Sequence, residues 1–212
     1  PAAYAALIQW HEKQGFQDIF AHYVSQASRT SEYLSHNVTI LLALNRVYRE
    51  LEPSQIPAFL NRVTEFVTSS CSDGDQSIDT REVVELKSVV LACLKQFGFF
   101  GHNLISLTWI LRCKEELSKE QYDAMLFNLY RQANSPLEDP DDEIDQAILA
   151  QCQSSDDSDE FYDNVNRLVF GYTSNLHQIT LADALCFLQE QFPEHAVELK
   201  CVAEYQCRLL EE

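Results

Sequence analysis

The sequence predicts an all-α protein, a helical bundle of about ten helices built from repeated helix pairs. Three observations predict it. Apolar residues recur at i, i+3 and i+4 spacing almost throughout, and no segment of useful length alternates with period two. Only five Gly and six Pro interrupt 212 residues, so few positions force the chain out of a helix. The chain also matches itself when His36 is laid on His102, an offset of 66 residues, which is the mark of a repeated helical unit.

The elements follow in chain order. The first copy of the repeat opens at His36 and runs about four turns before Leu51-Glu52-Pro53. Pro53-Ser54 starts the next helix, because proline loses nothing in a first turn whose N–H groups have no helical partner. Residues 69–78 form a loop, and Asp79 with Glu82 three residues on has the form of a capping box. Within that loop 73–79 has oxygen ligands spaced like the start of an EF-hand. Ile78 stands where the sharp turn needs Gly and Val84 where the bidentate Glu belongs, so the loop is not a calcium site. Residues 97–101 connect to the second copy, which opens at His102, and Ser118 with Gln121 caps the helix after it. Pro136 and Pro140 stop any helix over 134–142, a short helix follows around 143–153, and 154–160 is a solvated loop. His177 opens a third, weaker copy, and Pro193 ahead of Glu194 starts the last helix.

Charge bounds the function. Against 33 Asp and Glu stand 15 Lys and Arg, a formal charge of −18, which opposes nucleic acid and anionic membrane surfaces as partners. Eleven of the acids fall within 138–163, a segment with no Lys, Arg or His; the remainder, 22 acids against 15 bases, is ordinary. The chain is therefore expected to be a single all-helical domain, 1–212, with an acidic insertion or loop region at about 135–163. Uninterrupted apolar runs such as the one around 40–44 are far short of a bilayer span of about 20. Pro1-Ala2-Ala3-Tyr4 lacks the basic and apolar regions of a secretory signal, so a cytoplasmic location is expected. Seven cysteines, an odd number without a C-x-x-C pair, read as reduced thiols on apolar helix faces.

The repeat carries the chemistry. Ser35-His36-Asn37-Val38-Thr39-Ile40-Leu41-Leu42 aligns with Gly101-His102-Asn103-Leu104-Ile105-Ser106-Leu107-Thr108, and the match continues through Arg46 and Arg112, Glu50-Leu51 and Glu116-Leu117, and Gln55 and Gln121. The third copy begins His177-Gln178-Ile179-Thr180-Leu181. Packing explains the matching apolar positions, but a core does not call for a His–carboxamide pair at a helix start. Such a pair can cap backbone groups; three in register also suggest imidazoles gathered at one cavity. Neutral imidazoles can bind a transition metal, yet neither His102 nor His177 has an acid three or four residues before it, and His11-Glu12 fails H-E-x-x-H because Gly15 holds the second His position. No metal is assigned. The preferred role is acid–base, in which the rings hold or deprotonate a phenolic or carbonyl ligand. His36, His102 and His177 are thus the catalytic candidates, and Asn37, Asn103, Tyr33, Phe100 and Trp109 the ligand-binding ones. No nucleophile elbow, phosphate loop or dinucleotide fingerprint is present.

His36-Asn37 opening an apolar helix that ends before Leu51-Glu52-Pro53, then Gly101-His102-Asn103-Leu104-Ile105, then Leu176-His177-Gln178-Ile179-Thr180 followed by Phe192-Pro193-Glu194, resembles the questin oxidase-like family, as a short or divergent member. The resemblance implies an all-helical oxygenase that cleaves an anthraquinone ring in a Baeyer–Villiger-like step with a reduced nicotinamide cofactor. The expected function is such an oxygenase, or a binder of an aromatic or polyketide-type ligand in a histidine-lined helical pocket. The alternative is a non-enzymatic acidic interaction module whose helices form a groove for a basic protein or peptide.

Overall fold

A computed structural model describes residues 2–30, 32–70, 82–136, 143–153, 160–171 and 175–209. Among the described residues there are eleven α-helices and no strand: α1 Ala2–Gln14, α2 Phe16–Ala27, α3 His36–Arg49, α4 Ile56–Ser70, α5 Leu86–Lys95, α6 His102–Arg112, α7 Lys119–Ala133, α8 Gln146–Gln153, α9 Glu160–Phe170, α10 His177–Gln191 and α11 Ala196–Leu209. The fold is all-α, and each copy of the repeat is a helix pair, α3 with α4, α6 with α7, and α10 with α11. None of the described helices is long and apolar enough to cross a membrane.

Local chemistry accounts for the boundaries. Pro53–Gln55 forms a 3-10 turn that leads into α4, with the Glu52 N–H donating to Gln55 Oε1 at 2.8 Å. Ser118 and Gln121 cap α7 reciprocally: Ser118 N–H donates to Gln121 Oε1 at 2.9 Å and Gln121 N–H to Ser118 Oγ at 3.2 Å. α8 starts at Gln146 because Asp145 Oδ1 accepts from the N–H groups of Ala147 and Ile148, at 2.8 and 3.1 Å. α5 differs from the expected capping-box start: Glu82 lies outside any helix, and the first turn closes instead on the Glu85 carbonyl, which accepts from Ser88 and Val89. Asp79, Cys71, the EF-hand-like stretch and most of the acidic loops (137–142 and 154–159) lie outside the described residues.

The chain divides into two compact units, one of Pro1–Val84 and Trp109–Asn128, the other of Glu85–Thr108 and Leu129–Glu212. In the first, α1 packs on α2 and α4, α2 on α3, and α3 on α4. α2 presents Phe16, Ile19, Phe20 and Val24 at helical spacing, and α4 presents Phe59, Leu60, Val63 and Val67; all are buried. Phe16 is the hub, stacked on Tyr48 with ring centroids 4.3 Å apart and edge-on to Phe59 at 5.2 Å. A polar seam runs beside it, in which buried Asn45 accepts from Gln17 Nε2 at 3.1 Å and donates to Glu116, and Glu116 pairs with Arg49 at 3.0 Å.

In the second unit α11 is the central helix, packed against α5, α8, α9 and α10. Every residue from Leu199 to Cys207 is buried, Lys200, Glu204 and Gln206 included. Buried carboxylates need a partner, and Arg208, one turn on, supplies it by donating to Glu204 Oε1 from Nε at 3.0 Å and Nη2 at 2.7 Å. Leu181, Leu185 and Leu188 of α10 complete this core with Phe161 and Leu168 of α9.

The hub position of Phe16 is testable. Phe16→Ala should destabilise the first unit by about 3–5 kcal/mol, the usual cost of emptying an aromatic site, whereas Val47→Ala, at an exposed position of α3, should change stability by less than about 0.5 kcal/mol. Urea unfolding followed by circular dichroism measures both.

Candidate functional site

The first two copies of the repeat build the same backbone turn ahead of their histidines. Tyr33–Ser35 and Phe99–Gly101 are 3-10 turns that end in left-handed residues, Leu34 (φ 64°) and Ser35 (φ 55°) in one, Phe100 (φ 47°) and Gly101 (φ 75°) in the other. Left-handed conformation costs a side-chain-bearing residue about 1–2 kcal/mol. Among the described residues, the only non-glycine residues with positive φ are Leu34, Ser35 and Phe100. Strain gathered in one motif has to be held by its surroundings, and functional sites are where such strain concentrates.

The carboxamides supply part of the hold. Asn37 Nδ2 donates to Thr30 Oγ1 at 3.0 Å and Asn103 Nδ2 donates to the Gln96 carbonyl at 2.7 Å, each reaching seven residues back. Asn37 N–H donates to Glu32 Oε2 at 2.7 Å, and Asn103 N–H to the Phe97 carbonyl at 3.0 Å. Asn103 Oδ1 further accepts from Gln132 Nε2 of α7 at 2.6 Å. Both side chains are buried and clamp the turn across its mouth. His36, half-buried, opens α3 directly after the first turn.

In the second unit, the turn before His102 docks on α10. Gly101 faces Leu181 so closely that a Cβ added there would stand 2.4 Å from Leu181 Cδ1 and 3.2 Å from its Cγ, and Leu181 is fully buried with nowhere to swing. This contact sets the first turn of α10 beside the histidine of α6. The His102 and His177 rings lie 4.6 Å apart at 46°; Phe99 stacks parallel on His102 at 6.1 Å, and Phe100 on His177 at 5.9 Å.

Hydrogen bonds set the tautomer of both rings. His102 Nδ1 contacts the Phe99 carbonyl, which can only accept, so Nδ1 carries the proton. His177 Nδ1 donates at 2.6 Å to Asn175 Oδ1, the same oxygen that accepts the His177 backbone N–H at 3.0 Å. In the neutral form, Nε2 is then the basic nitrogen of each ring. The third copy thus reaches the same ring chemistry through a side-chain turn of Asn175, since Leu176 has an ordinary helical φ of −62°. Gln178, its carboxamide, is buried and has no hydrogen-bond partner at either amide atom.

Phe99 and Phe100 also wall a cavity of about 160 Å³, together with Phe97, Gly98, Ile144, Tyr205, Gln206 and Leu209, with Glu143 and Asp145 at its edge. A wider polar cleft of about 530 Å³ lies between Lys95, Asn134 and Gln146, away from the histidines.

The residues singled out from the sequence distribute as follows. His102, His177, Phe100 and Asn103 come together in the second unit, and Asn103 acts on the turn rather than offering its amide to a cavity. Trp109 is half-buried with the Arg112 guanidinium 5.9 Å from its ring, and the side chain of Tyr33 is outside the described part of the structure. Sequence reasoning missed Phe97, Phe99, Asn175, Tyr205 and Gln206. The run Phe97-Gly98-Phe99-Phe100-Gly101 offered a signal, three phenylalanines punctuated by glycines, but Gln206 offered none. Two further histidines have local partners: His11 Nε2 meets Tyr48 Oη at 2.9 Å, and His22 packs edge-on to Trp10.

The described cysteines are free thiols, all buried except half-buried Cys186. Burial pushes Cys152 up to about 11, with Glu204 adding to it, and Cys113 up to about 11, with Glu116 adding to it. Burial raises Cys93 further. These sulfurs stay protonated and are poor nucleophiles at neutral pH. Comparison of the chain with protein-family models, with curated proteins and with solved structures finds no match.

The docking of the turn on α10 makes a stability prediction. Gly101→Ala adds a methyl in contact with Leu181 at a left-handed position and should cost about 2–5 kcal/mol. Gly15→Ala, also left-handed but with nothing within 4 Å of the new methyl, should cost only about 1–2 kcal/mol. Urea midpoints of the two variants compare them directly.

Proposed function

We propose that this chain binds a small aromatic ligand of phenol or polyketide type against the turn 97–100, with His102 and His177 as its acid–base groups. The observation that carries the reading is the strained turn itself: it stacks Phe99 and Phe100 on two imidazoles of matched tautomer, beside a cavity that the two aromatic residues line and the histidines do not. An apolar, aromatic-walled concavity with few polar groups is the usual character of a small-molecule site. An imidazole whose Nδ1–H is anchored has a basic Nε2 suited to taking a proton from a phenol, and the anchor keeps the ring from rotating as it does so.

The resemblance to questin oxidases extends this to oxygenation of the bound ring. Such enzymes use a reduced nicotinamide cofactor, and the cavity does not fit one: its charged edge is Glu143 and Asp145, which repel a diphosphate, and about 160 Å³ is far too small for a dinucleotide. What the residues support is ligand binding with proton transfer at Nε2. The repeat brings His36 into the reading, as the same position of the same motif.

Calorimetric titration with 4-hydroxyacetophenone tests it. Wild-type protein should bind, and His102→Ala and His177→Ala should each weaken binding at least tenfold while leaving the urea midpoint nearly unchanged; His36→Ala, measured in parallel, reports whether the first copy shares the role. No binding by the wild type, equal binding by the His102 and His177 variants, or unfolding by each of them would contradict the proposal.

A further inference from the structure

The two imidazoles of the second unit are held in the way that metal-ligating histidines are held. A histidine that binds a metal through Nε2 almost always donates its Nδ1–H to a carbonyl, a carboxylate or water, which fixes the tautomer and the ring plane and makes the other nitrogen a better donor. His102 donates to the Phe99 carbonyl and His177 to Asn175 Oδ1. Asn175 Oδ1 also accepts the His177 backbone N–H, so the oxygen that orients the ring is itself tied to the start of α10. Phe99 stacked on one ring and Phe100 on the other hold the two planes from the side.

Separation and donor type fit as well. The ring centroids are 4.6 Å apart, and a ring nitrogen of His102 lies within 4.8 Å of one of His177. Two imidazole nitrogens on one tetrahedral zinc ion, each at about 2.0–2.1 Å, stand roughly 3.3 Å apart, so the pair has at most about 1.5 Å to close. Among the described residues no Asp, Glu or Cys joins the cluster. Neutral nitrogen donors of this kind suit Zn(II), Cu(II), Ni(II) and Co(II), whereas Mg(II) and Ca(II) need oxygen. Sequence spacing is silent on the pair, because a metal motif is read along one helix and each imidazole here is the first residue of its own, α6 or α10. The docking of Gly101 on Leu181 is what brings the two helix starts together.

We infer that His102 and His177 form a binding site for a divalent transition-metal ion of the zinc class, each ligating through Nε2, with Asn175 as a positioning residue. Two protein donors leave coordination positions for water or an added ligand. The inference goes beyond the aromatic-ligand reading and needs no aromatic ligand. Metal and proton compete for the same Nε2 lone pairs, so the rings are bases when ion-free and ligands when loaded.

Calorimetric titration of the full chain with Zn(II), after chelator treatment and with the thiols kept reduced, tests it. Wild-type protein should bind zinc in the presence of excess Mg(II). His102→Gln and His177→Gln should each weaken that binding by about tenfold or more, and Asn175→Ala by about 10–100-fold, the usual cost of losing the partner that orients a ligating histidine, with its urea midpoint nearly unchanged. Long-range ¹⁵N–¹H spectra of the wild type decide the matter if a variant fails to fold: zinc should move the Nε2 resonance of both rings while Nδ1 keeps its proton. No zinc binding, displacement of zinc by Mg(II), unchanged affinity in either histidine variant, or Nε2 resonances that do not move would overturn the site. Unchanged affinity in Asn175→Ala overturns the role of Asn175. Zinc binding without binding of 4-hydroxyacetophenone leaves this site standing and removes the aromatic-ligand reading, and the reverse result removes this site alone.

Discussion

The second unit depends on a single close approach, that of the Gly101 backbone to the Leu181 side chain on α10. Two elements far apart in sequence meet there at a separation that no Cβ permits, and much else follows. The chain must turn left-handed at Phe100 and Gly101 to reach the contact and still start α6 on the next residue. The turn throws Phe100 over His177 and brings His102 to within ring contact of it. Asn103 then ties the turn back to Gln96 and across to Gln132, a clamp that offsets the left-handed strain. The first unit repeats the turn and the seven-residue reach of its carboxamide, so the device belongs to the motif and not to one packing environment.

Division of labour within the motif follows from this. Apolar positions after each histidine build the core, the carboxamide holds the turn in the first two copies, and in the second copy Phe99 and Phe100 are shared between imidazole and cavity. Hydrogen bonds at Nδ1 of His102, to the backbone carbonyl of the cavity residue Phe99, and of His177, to Asn175, fix which nitrogen is basic. The charged residues of the cavity lining are the exposed Glu143 and Asp145. The bulk of the −18 bears on what surrounds the chain and not on this chemistry.

Helix content, the helix-pair repeat and most helix starts were legible because they rest on local chemistry: Ser118 and Gln121 cap reciprocally, Pro53 leads α4, and each motif histidine is the first residue of its helix. Legibility failed where the deciding partner is distant. Asn37 and Asn103 looked like ligand-binding amides, since nothing in the sequence shows that each reaches residues seven back. The spacing of Lys200, Glu204 and Arg208 on α11 reads as a solvent face; only packing by α5, α8, α9 and α10 buries Lys200 and Glu204, and Gln206 with them. Phe97 and Phe99 lie in a stretch that reads as a mere connection, because the left-handed turn that aims them is dictated by Leu181, 80 residues later at the contact with Gly101.

The turn–α10 contact matters for function only if it sets the chemistry of the two imidazoles, and the tautomer of each ring measures that. A long-range ¹⁵N–¹H spectrum of the histidine side chains, assigned through His102→Gln and His177→Gln and recorded above the pH at which the rings are charged, reads which nitrogen holds the proton. Both rings should appear as the Nδ1–H form, with Nε2 bare of hydrogen. The Nε2–H form at either ring would contradict the account, since Nδ1 would then be turned away from the Phe99 carbonyl or from Asn175 and the basic nitrogen would be the wrong one.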